Sequence, residues 1–509
     1  MNNEQAVEVM VVLEVLAPVL KTAAGLGVAA PAGAVSLLRR VSRSVGIAGP
    51  TAAMLAEESP RENCALFRHV PEAAERLAWR SLGATSRTPI HRCETPGETG
   101  DAVSFLVKRE DLITRRYGGN KVRTLQHQLA VCEARRESGE RAFRQLVSVG
   151  TGGSNQVVAT VVHAAGLGWD GDRGIGQVNA CWFDKDEPDL DNTLNMLSVM
   201  SFPNVGFMHN WADSVGPRRF LSALMGAWKQ EDFIPMMPGG NCPSGVLGQV
   251  SGLLELAEQI EAGECPDPVR IYVPVGSSCT ISGLIVGTVL ARHLGLNALS
   301  SQDFTIVGCN VHDGLALADR MMGLHTNPFF GGMPLTITHT VREACKALRE
   351  VSGPDVEQAA LDFIKTSVSI RSDVDVVGTY GAHSEVTRKS AVAYDEFGTI
   401  IDEKGAEAKP LWVCGHFVGK AFAPLVDDLE KRRREGNEEA PYLLWMTKSS
   451  VQPRGNVDEW SRFLRQNDTV RKWADDGKAE SSLRPGKIST MDGSPDDYRG
   501  VMTRIDSEK

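Results

Sequence analysis

The chain predicts an α/β protein built on largely parallel sheets flanked by helices, and two observations carry that expectation. From about Cys64 onward, short β-rich runs alternate with longer helical patterns, the order in which a parallel sheet and its crossover helices are laid down. Two of the runs also pass through a glycine turn directly into a helical pattern. Residues 145–149 read as a strand, enter Gly150-Thr151-Gly152-Gly153-Ser154-Asn155, and continue as a helix over 156–165. Residues 269–275 read as a second, buried strand, followed by Gly276-Ser277-Ser278-Cys279-Thr280 and an apolar helix beginning near Ile281. Residues 304–307 and 374–377 are expected to form two more strands, and 442–446 the last of the sheet. The acidic stretch 185–192 reads as a surface loop. Beyond Gly455 the chain turns polar, and little fixed structure is expected after about Ser481.

At 509 residues the chain is long enough for two or three domains with ample cores. A hydrophobic share of 42% and a charged share of 23% suit a globular protein. The net charge of −10, with no basic stripe, argues against nucleic acid as a partner. Ten cysteines are scattered singly, a pattern that fits a reducing compartment and no disulfide framework. Eleven histidines show no metal-ligand spacing. The segment nearest to a membrane span, 22–38, is rich in Ala and Gly and interrupted by Pro31, so stable insertion is not expected. The first residues carry Glu4, Glu8 and Glu14 and lack a basic start. The expected location is cytoplasmic. Arg39, Arg40 and Arg43 leave an organelle-targeting extension as the alternative to a helical extension packed on the core.

The stretch that bears most on function is Gly118-Gly119-Asn120-Lys121, followed by Arg123 and preceded by Lys108-Arg109-Glu110-Asp111-Leu112. A lysine beside a tight glycine turn can be held out of water, which lowers the pKa of its ammonium and frees the amine as a nucleophile. Read alone, the tetrad is equally a surface turn. Residues 276–280 offer bare backbone and hydroxyls at a helix start, a cradle suited to a phosphate or a structural turn. They match neither a Walker A loop nor GxGxxG. Gly152-Gly153-Ser154-Asn155-Gln156 offers a hydroxyl and two amides at a second helix start, with a plain N-cap by Ser154 as the alternative. A lysine, a phosphate cradle and a carboxylate cradle on one α/β scaffold together suggest pyridoxal 5'-phosphate.

The same residues carry a family resemblance. Residues 108–112, 118–123 and 152–156, with Pro238-Gly239-Gly240-Asn241-Cys242-Pro243 and 276–284, resemble the motifs of the D-cysteine desulfhydrase and 1-aminocyclopropane-1-carboxylate deaminase family, over about 66–454. The family is tryptophan-synthase-β-like, fold type II, which implies two α/β domains with pyridoxal phosphate between them. The expected division is an N-terminal extension (1–60), a larger cofactor-binding domain (61–123 and 236–455), a smaller α/β domain (124–235) and a polar C-terminal extension (456–509).

The resemblance assigns roles by position. It implies that Lys121 holds the cofactor aldehyde and later moves the α-proton. Ser154, Asn155 and Gln156 would bind the substrate carboxylate, with Ser154 a proton relay and Asn155 near the ring or its hydroxyl. Gly276, Ser277, Ser278, Cys279 and Thr280 would hold the phosphate, Tyr380 would lie over the site, and Thr447 would face the pyridine nitrogen. A neutral hydroxyl there makes a weaker electron sink than a carboxylate, which suits elimination over transamination. Two departures stand out. The family's Val-Tyr-x-Gly-Lys-Ala reads His416-Phe417-Val418-Gly419-Lys420-Ala421, without the phenol. Its His-Thr-Gly-Gly turn reads Met446-Thr447-Lys448-Ser449. His416 or His383 is a candidate replacement for the phenol. The expected activity is β-elimination on a small amino acid, D-cysteine first, giving pyruvate, ammonia and hydrogen sulfide. The alternatives are a 1-aminocyclopropane-1-carboxylate or other amino-acid deaminase, and a cofactor-binding protein without chemistry. The expected partners are that substrate and a second copy of the chain, as a homodimer.

Overall fold

The computed structural model describes residues 46–453, except 58–59, 98–99, 140–144, 152, 170–176, 184–194, 197, 211–232, 237, 312–331, 379–380, 402–410, 437–440, 450 and 452. Residues 1–45 of the expected extension (1–60), the acidic stretch 185–192 and the polar tail therefore lie outside the described residues.

Eleven described strands form two sheets. The larger is mixed, with the order β10-β1-β2-β11-β7-β8-β9. Its strands are β1 (Ile90–Pro96), β2 (Ala102–Lys108), β7 (Arg270–Val275), β8 (Thr305–Asn310), β9 (Val368–Arg371), β10 (Thr399–Ile401) and β11 (Tyr442–Trp445). The run from β2 through β11, β7 and β8 to β9 is parallel, whereas β1 pairs antiparallel with both β2 and β10. The smaller sheet is wholly parallel, in the order β5-β4-β3-β6, with β3 (Gln145–Thr151), β4 (Gln177–Phe183), β5 (Val205–Asn210) and β6 (Phe233–Met236).

The large sheet is buried on both faces, and its strand sequences show why. In β7, Ile271 and Val273 point into one core cluster while Tyr272 points into the other. In β11, Leu443 and Trp445 face the first cluster, and Tyr442 and Leu444 the second. A strand whose two alternating sets are both apolar can sit only between helical layers. The first layer includes α3 (Pro243–Glu261), α4 (Cys279–His293), α5 (Gly332–Glu350) and α6 (Glu357–Ser367); the second includes α7 (Glu385–Phe397) and α8 (Val418–Arg434). A third cluster joins α1 (Lys121–Glu137) and α2 (Asn155–Gly166) to Leu146 of β3, Met236 of β6 and Val205 of β5.

The strand expected over 374–377 is instead a short helical turn, Val374–Val377. The amides of Val376 and Val377 both close onto the Asp373 carbonyl, at 3.0 and 2.8 Å. Asp373 in an extended conformation and Gly378 at φ 51° bound the turn, so three valines with strand propensity are overruled by local backbone hydrogen bonding. The sheet takes β9, just before it.

Among the described residues no helix is long and apolar enough to cross a membrane. No group of three or more His, Cys, Asp or Glu is arranged to hold a metal ion among them.

Candidate active site

Four segments that meet around Lys121 leave the carboxyl ends of parallel strands. β3 runs into Ser154, β6 into residues 238–240, β7 into 276–280 and β11 into 447–449. In the small sheet the chain moves from β3 outward to β4 and β5, then returns to β6 on the other side of β3. In the large sheet it leaves β7 toward β8 and β9, and β11 arrives on the opposite side. Each sheet thus reverses direction beside the strands that feed the site. Such switch points leave a crevice where ligands of open α/β sheets bind.

Lys121 is the first residue of α1, and its Nζ donates to the Gly239 carbonyl at 3.0 Å. Burial lowers the pKa of its ammonium, opposed only by the neighbouring Cys279. Its turn is fixed from two sides. The Gly119 amide donates to the Glu110 carbonyl at 2.8 Å, and the Gly118 amide to Ser449 Oγ at 3.2 Å. Gly119 has φ 95°, and a Cβ there would come within 2.5 Å of the Thr447 carbonyl oxygen, so only glycine lets the two segments close up.

Beneath the turn lies a buried ionic network. Arg123 donates to both carboxylate oxygens of Glu110 at 2.6 and 2.8 Å and to Glu255 at 2.9 Å; Lys108 donates to Glu255 at 2.6 Å. Burial alone would raise Glu255, yet Arg123 and Lys108 hold it down at about 2. Arg109 pairs bidentately with Asp111. The charged stretch 108–111 is therefore interior, and it anchors the lysine turn.

The 276–280 turn leads into α4, with Ser278 in the left-handed region at φ 66°. Asn120, next to the lysine, donates to Thr280 Oγ1 at 2.7 Å and so ties this turn to Lys121. A Cβ on Gly239 would lie 2.1 Å from Ser277 Oγ and 3.6 Å from Lys121 Nζ, so the turn, the lysine and the 238–240 segment enclose one small space. Burial pushes the Cys279 thiol up to about 11, which keeps it neutral beside a would-be phosphate. The Phe417 ring approaches the same turn, its Cε1 4.0 Å from a Cβ built on Gly276.

Ser154 is the residue before α2, but its hydroxyl makes no capping bond, so the plain N-cap reading does not apply. Gln156 is buried; its Nε2 donates to Thr160 Oγ1 at 3.2 Å, and its Oε1 has no partner among the described residues. Thr447 is buried with its Oγ1 likewise unpartnered. Tyr380 and Gly152 fall outside the described residues. His416 stacks on Phe417, with ring centroids 4.0 Å apart, and burial takes its pKa well below the usual imidazole value. Burial puts His383 at about 4. Both rings are neutral at pH 7, so neither offers the proton a phenol would.

Three residues, Tyr117, Asn195 and Trp412, and the contacts of Lys448 were missed by sequence reasoning. Lys448 Nζ donates to Asn195 Oδ1 at 2.8 Å and Asn155 Oδ1 at 3.3 Å, and lies 4.3 Å from the Trp412 ring centroid. The only sequence signal was lysine standing within the 446–449 turn.

No family model matches the chain. It is 30% identical over 221 residues to the nocardicin C-9' epimerase of Nocardia uniformis subsp. tsuyamanensis, covering 41% of this chain and 61% of that protein. It is 26% identical over 212 residues to a putative 1-aminocyclopropane-1-carboxylate deaminase of Pyrococcus abyssi, covering 41% of this chain and 56% of that one. The chain thus matches 56–61% of the length of these curated relatives. A crystal structure of an ACC deaminase homologue superposes with a TM-score of 0.48 at 19% identity, over 75% of this chain and 94% of that one. The chain is thus similar, over part of its length, to the two curated relatives.

The residues present fit pyridoxal phosphate, the cofactor expected from the sequence. A desolvated lysine amine, a helix-start turn with a neutral thiol and a buried hydroxyl lacking a partner match an aldehyde, a phosphate and a pyridine nitrogen in turn.

Proposed function

We propose that this protein is a fold-type II, pyridoxal-phosphate-dependent lyase that eliminates the β-substituent of a small amino acid, with D-cysteine the first candidate. The observation that carries the reading is the enclosure of the Lys121 amine by the Gly239 carbonyl and the 276–280 turn. When bound, the cofactor supplies an electron sink that acidifies the substrate's Cα–H.

The chain's own residues do the rest. Lys121, whose ammonium burial disfavours, would take the α-proton. The Cβ–S bond then breaks, and its electron pair leaves on sulfur. A thiol needs little acid assistance to depart, so the loss of a phenol at Phe417 is tolerable. Water adds to the resulting enamine, giving pyruvate and ammonia beside hydrogen sulfide. Backbone N–H groups of 276–280 would hold the phosphate, and Ser154 with Asn155 the substrate carboxylate. Thr447 Oγ1 would face the ring nitrogen without protonating it fully, which favours elimination over transamination.

The Pyrococcus relative keeps cyclopropane-ring opening as the second reading. That reaction should suffer more without the phenol. The Nocardia relative is named for epimerisation, which also begins with loss of a proton at carbon. One panel assay separates these reactions: the loaded protein is offered D-cysteine, L-cysteine and 1-aminocyclopropane-1-carboxylate. Sulfide, 2-oxo acid and enantiomer interconversion are then followed. Sulfide with pyruvate from D-cysteine is expected; 2-oxobutanoate from the cyclopropane substrate as the preferred product, or interconversion without sulfide, would overturn the assignment.

A further inference from the structure

We propose that Lys448 is a positioning residue that locks the carboxamide of Asn155 toward the cofactor's ring oxygen and adds a fixed positive charge beside it. The proposal rests on the pyridoxal-phosphate reading above. A lysine ammonium has three donors and no acceptor, so any carboxamide atom facing it must be oxygen. Lys448 Nζ faces Oδ1 of both Asn195 and Asn155, at 2.8 and 3.3 Å. With its oxygen so assigned, Asn195 directs Nδ2 to the Gly153 carbonyl at 2.7 Å and to Asn155 Oδ1 at 2.9 Å. Tyr117 OH donates to the same Asn155 oxygen at 3.1 Å.

Three donors therefore converge on Asn155 Oδ1. Its Nδ2 is left as the group the site can use, a donor suited to a phenolate-type oxygen. A glycine at 448 would leave Asn155 held by Asn195, which the Gly153 carbonyl orients, and by Tyr117, and would remove the charged donor. Lys448 is 1% exposed and its Nζ lies against the Trp412 ring, 4.3 Å from the centroid, an arrangement that stabilises a desolvated cation. A fixed positive charge in so dry a place acts strongly on a nearby titrating oxygen. The ring oxygen of bound cofactor is thereby held in its ionised form.

The test uses the full chain loaded with pyridoxal phosphate, and reads the two absorbance bands that distinguish ionised from neutral ring hydroxyl at fixed pH. Lys448→Met is expected to shift the band ratio toward the neutral form by on the order of tenfold, one pKa unit. Lys448→Arg is expected to keep the ratio within about twofold of wild type. Thermal melting reports whether each variant is folded; if Lys448→Met is not, Lys448→Gln, which drops the charge but keeps a donor, is read in its place. An unchanged ratio in the neutral variant would overturn the proposal. So would a shift in Lys448→Arg as large as in Lys448→Met, since that would make the effect one of packing. Wild type that takes up no cofactor would sink the underlying functional reading as well, an outcome distinct from both.

Discussion

Arg123 shows how much of this site is built two residues away from the reacting group. It bridges Glu110 and Glu255, both buried, and so ties the first turn of α1 to the segment that holds Gly119. Arg123→Met would leave two carboxylates against only Lys108, and a broken buried pair costs about 3–5 kcal/mol. The expected outcome is that loss in denaturant unfolding, together with weaker cofactor uptake; a loss under about 1 kcal/mol would mean the network is dispensable. Phe417 makes the opposite case, a residue whose chemistry rather than packing is missing. Its ring lies beside Gly276 and stacks on a neutral His416. Phe417→Tyr should therefore raise turnover, on the order of tenfold or more for the harder ring-opening substrate and less for D-cysteine. A drop with both substrates in the cofactor-loaded variant would show that the position does not bear on proton transfer.

At the scale of elements, the two glycine turns differ in what they permit. Gly239 has φ 65°, and a Cβ there would collide with Ser277 Oγ. The nearest atom to a Cβ on Gly276 is Val311 Cγ2 at 3.5 Å, an ordinary contact. Gly239→Ala is thus expected to weaken pyridoxal-phosphate affinity by well over tenfold, whereas Gly276→Ala should be mild and only a larger side chain would reach Phe417. Titration of cofactor into the two apoproteins checks the order, and equal affinities would contradict it. These turns were legible in the sequence because glycine beside a strand pattern has few readings. The helices after them were placed to within two residues by their apolar patterns. The antiparallel strands β1 and β10 were not read: β10 is a three-residue edge strand with little periodic signal, and β1, though seven residues long and paired on both sides, is rich in polar residues. Residues 374–377 misled because valine propensity is weak against a local turn closed by backbone hydrogen bonds. Lys448 was visible as an odd letter in a turn, but its meaning depends on Asn155, Asn195 and Trp412, which lie far from it in sequence and meet only in the fold.

Over the whole molecule, buried histidines set the acid side of stability. Burial places His127 and His163 at about 4, below the ordinary value of 6.5. Between those values the unfolded chain binds protons that the folded chain refuses, so stability is complete above pH 6.5 and declines as the pH falls toward 4. Glu255, held at about 2 against an ordinary 4.5, adds a second loss only below about pH 4.5. Urea unfolding across pH 4–7 should show the first decline, with a shallower slope in His163→Gln; stability that is flat over that range would contradict the assignment. The account as a whole stands on one amine. Native protein loaded with pyridoxal phosphate is reduced with borohydride, digested, and its labelled peptide sequenced. The label is predicted on Lys121 alone, and a label on Lys108, Lys420 or Lys448, or no retained cofactor, would contradict the account.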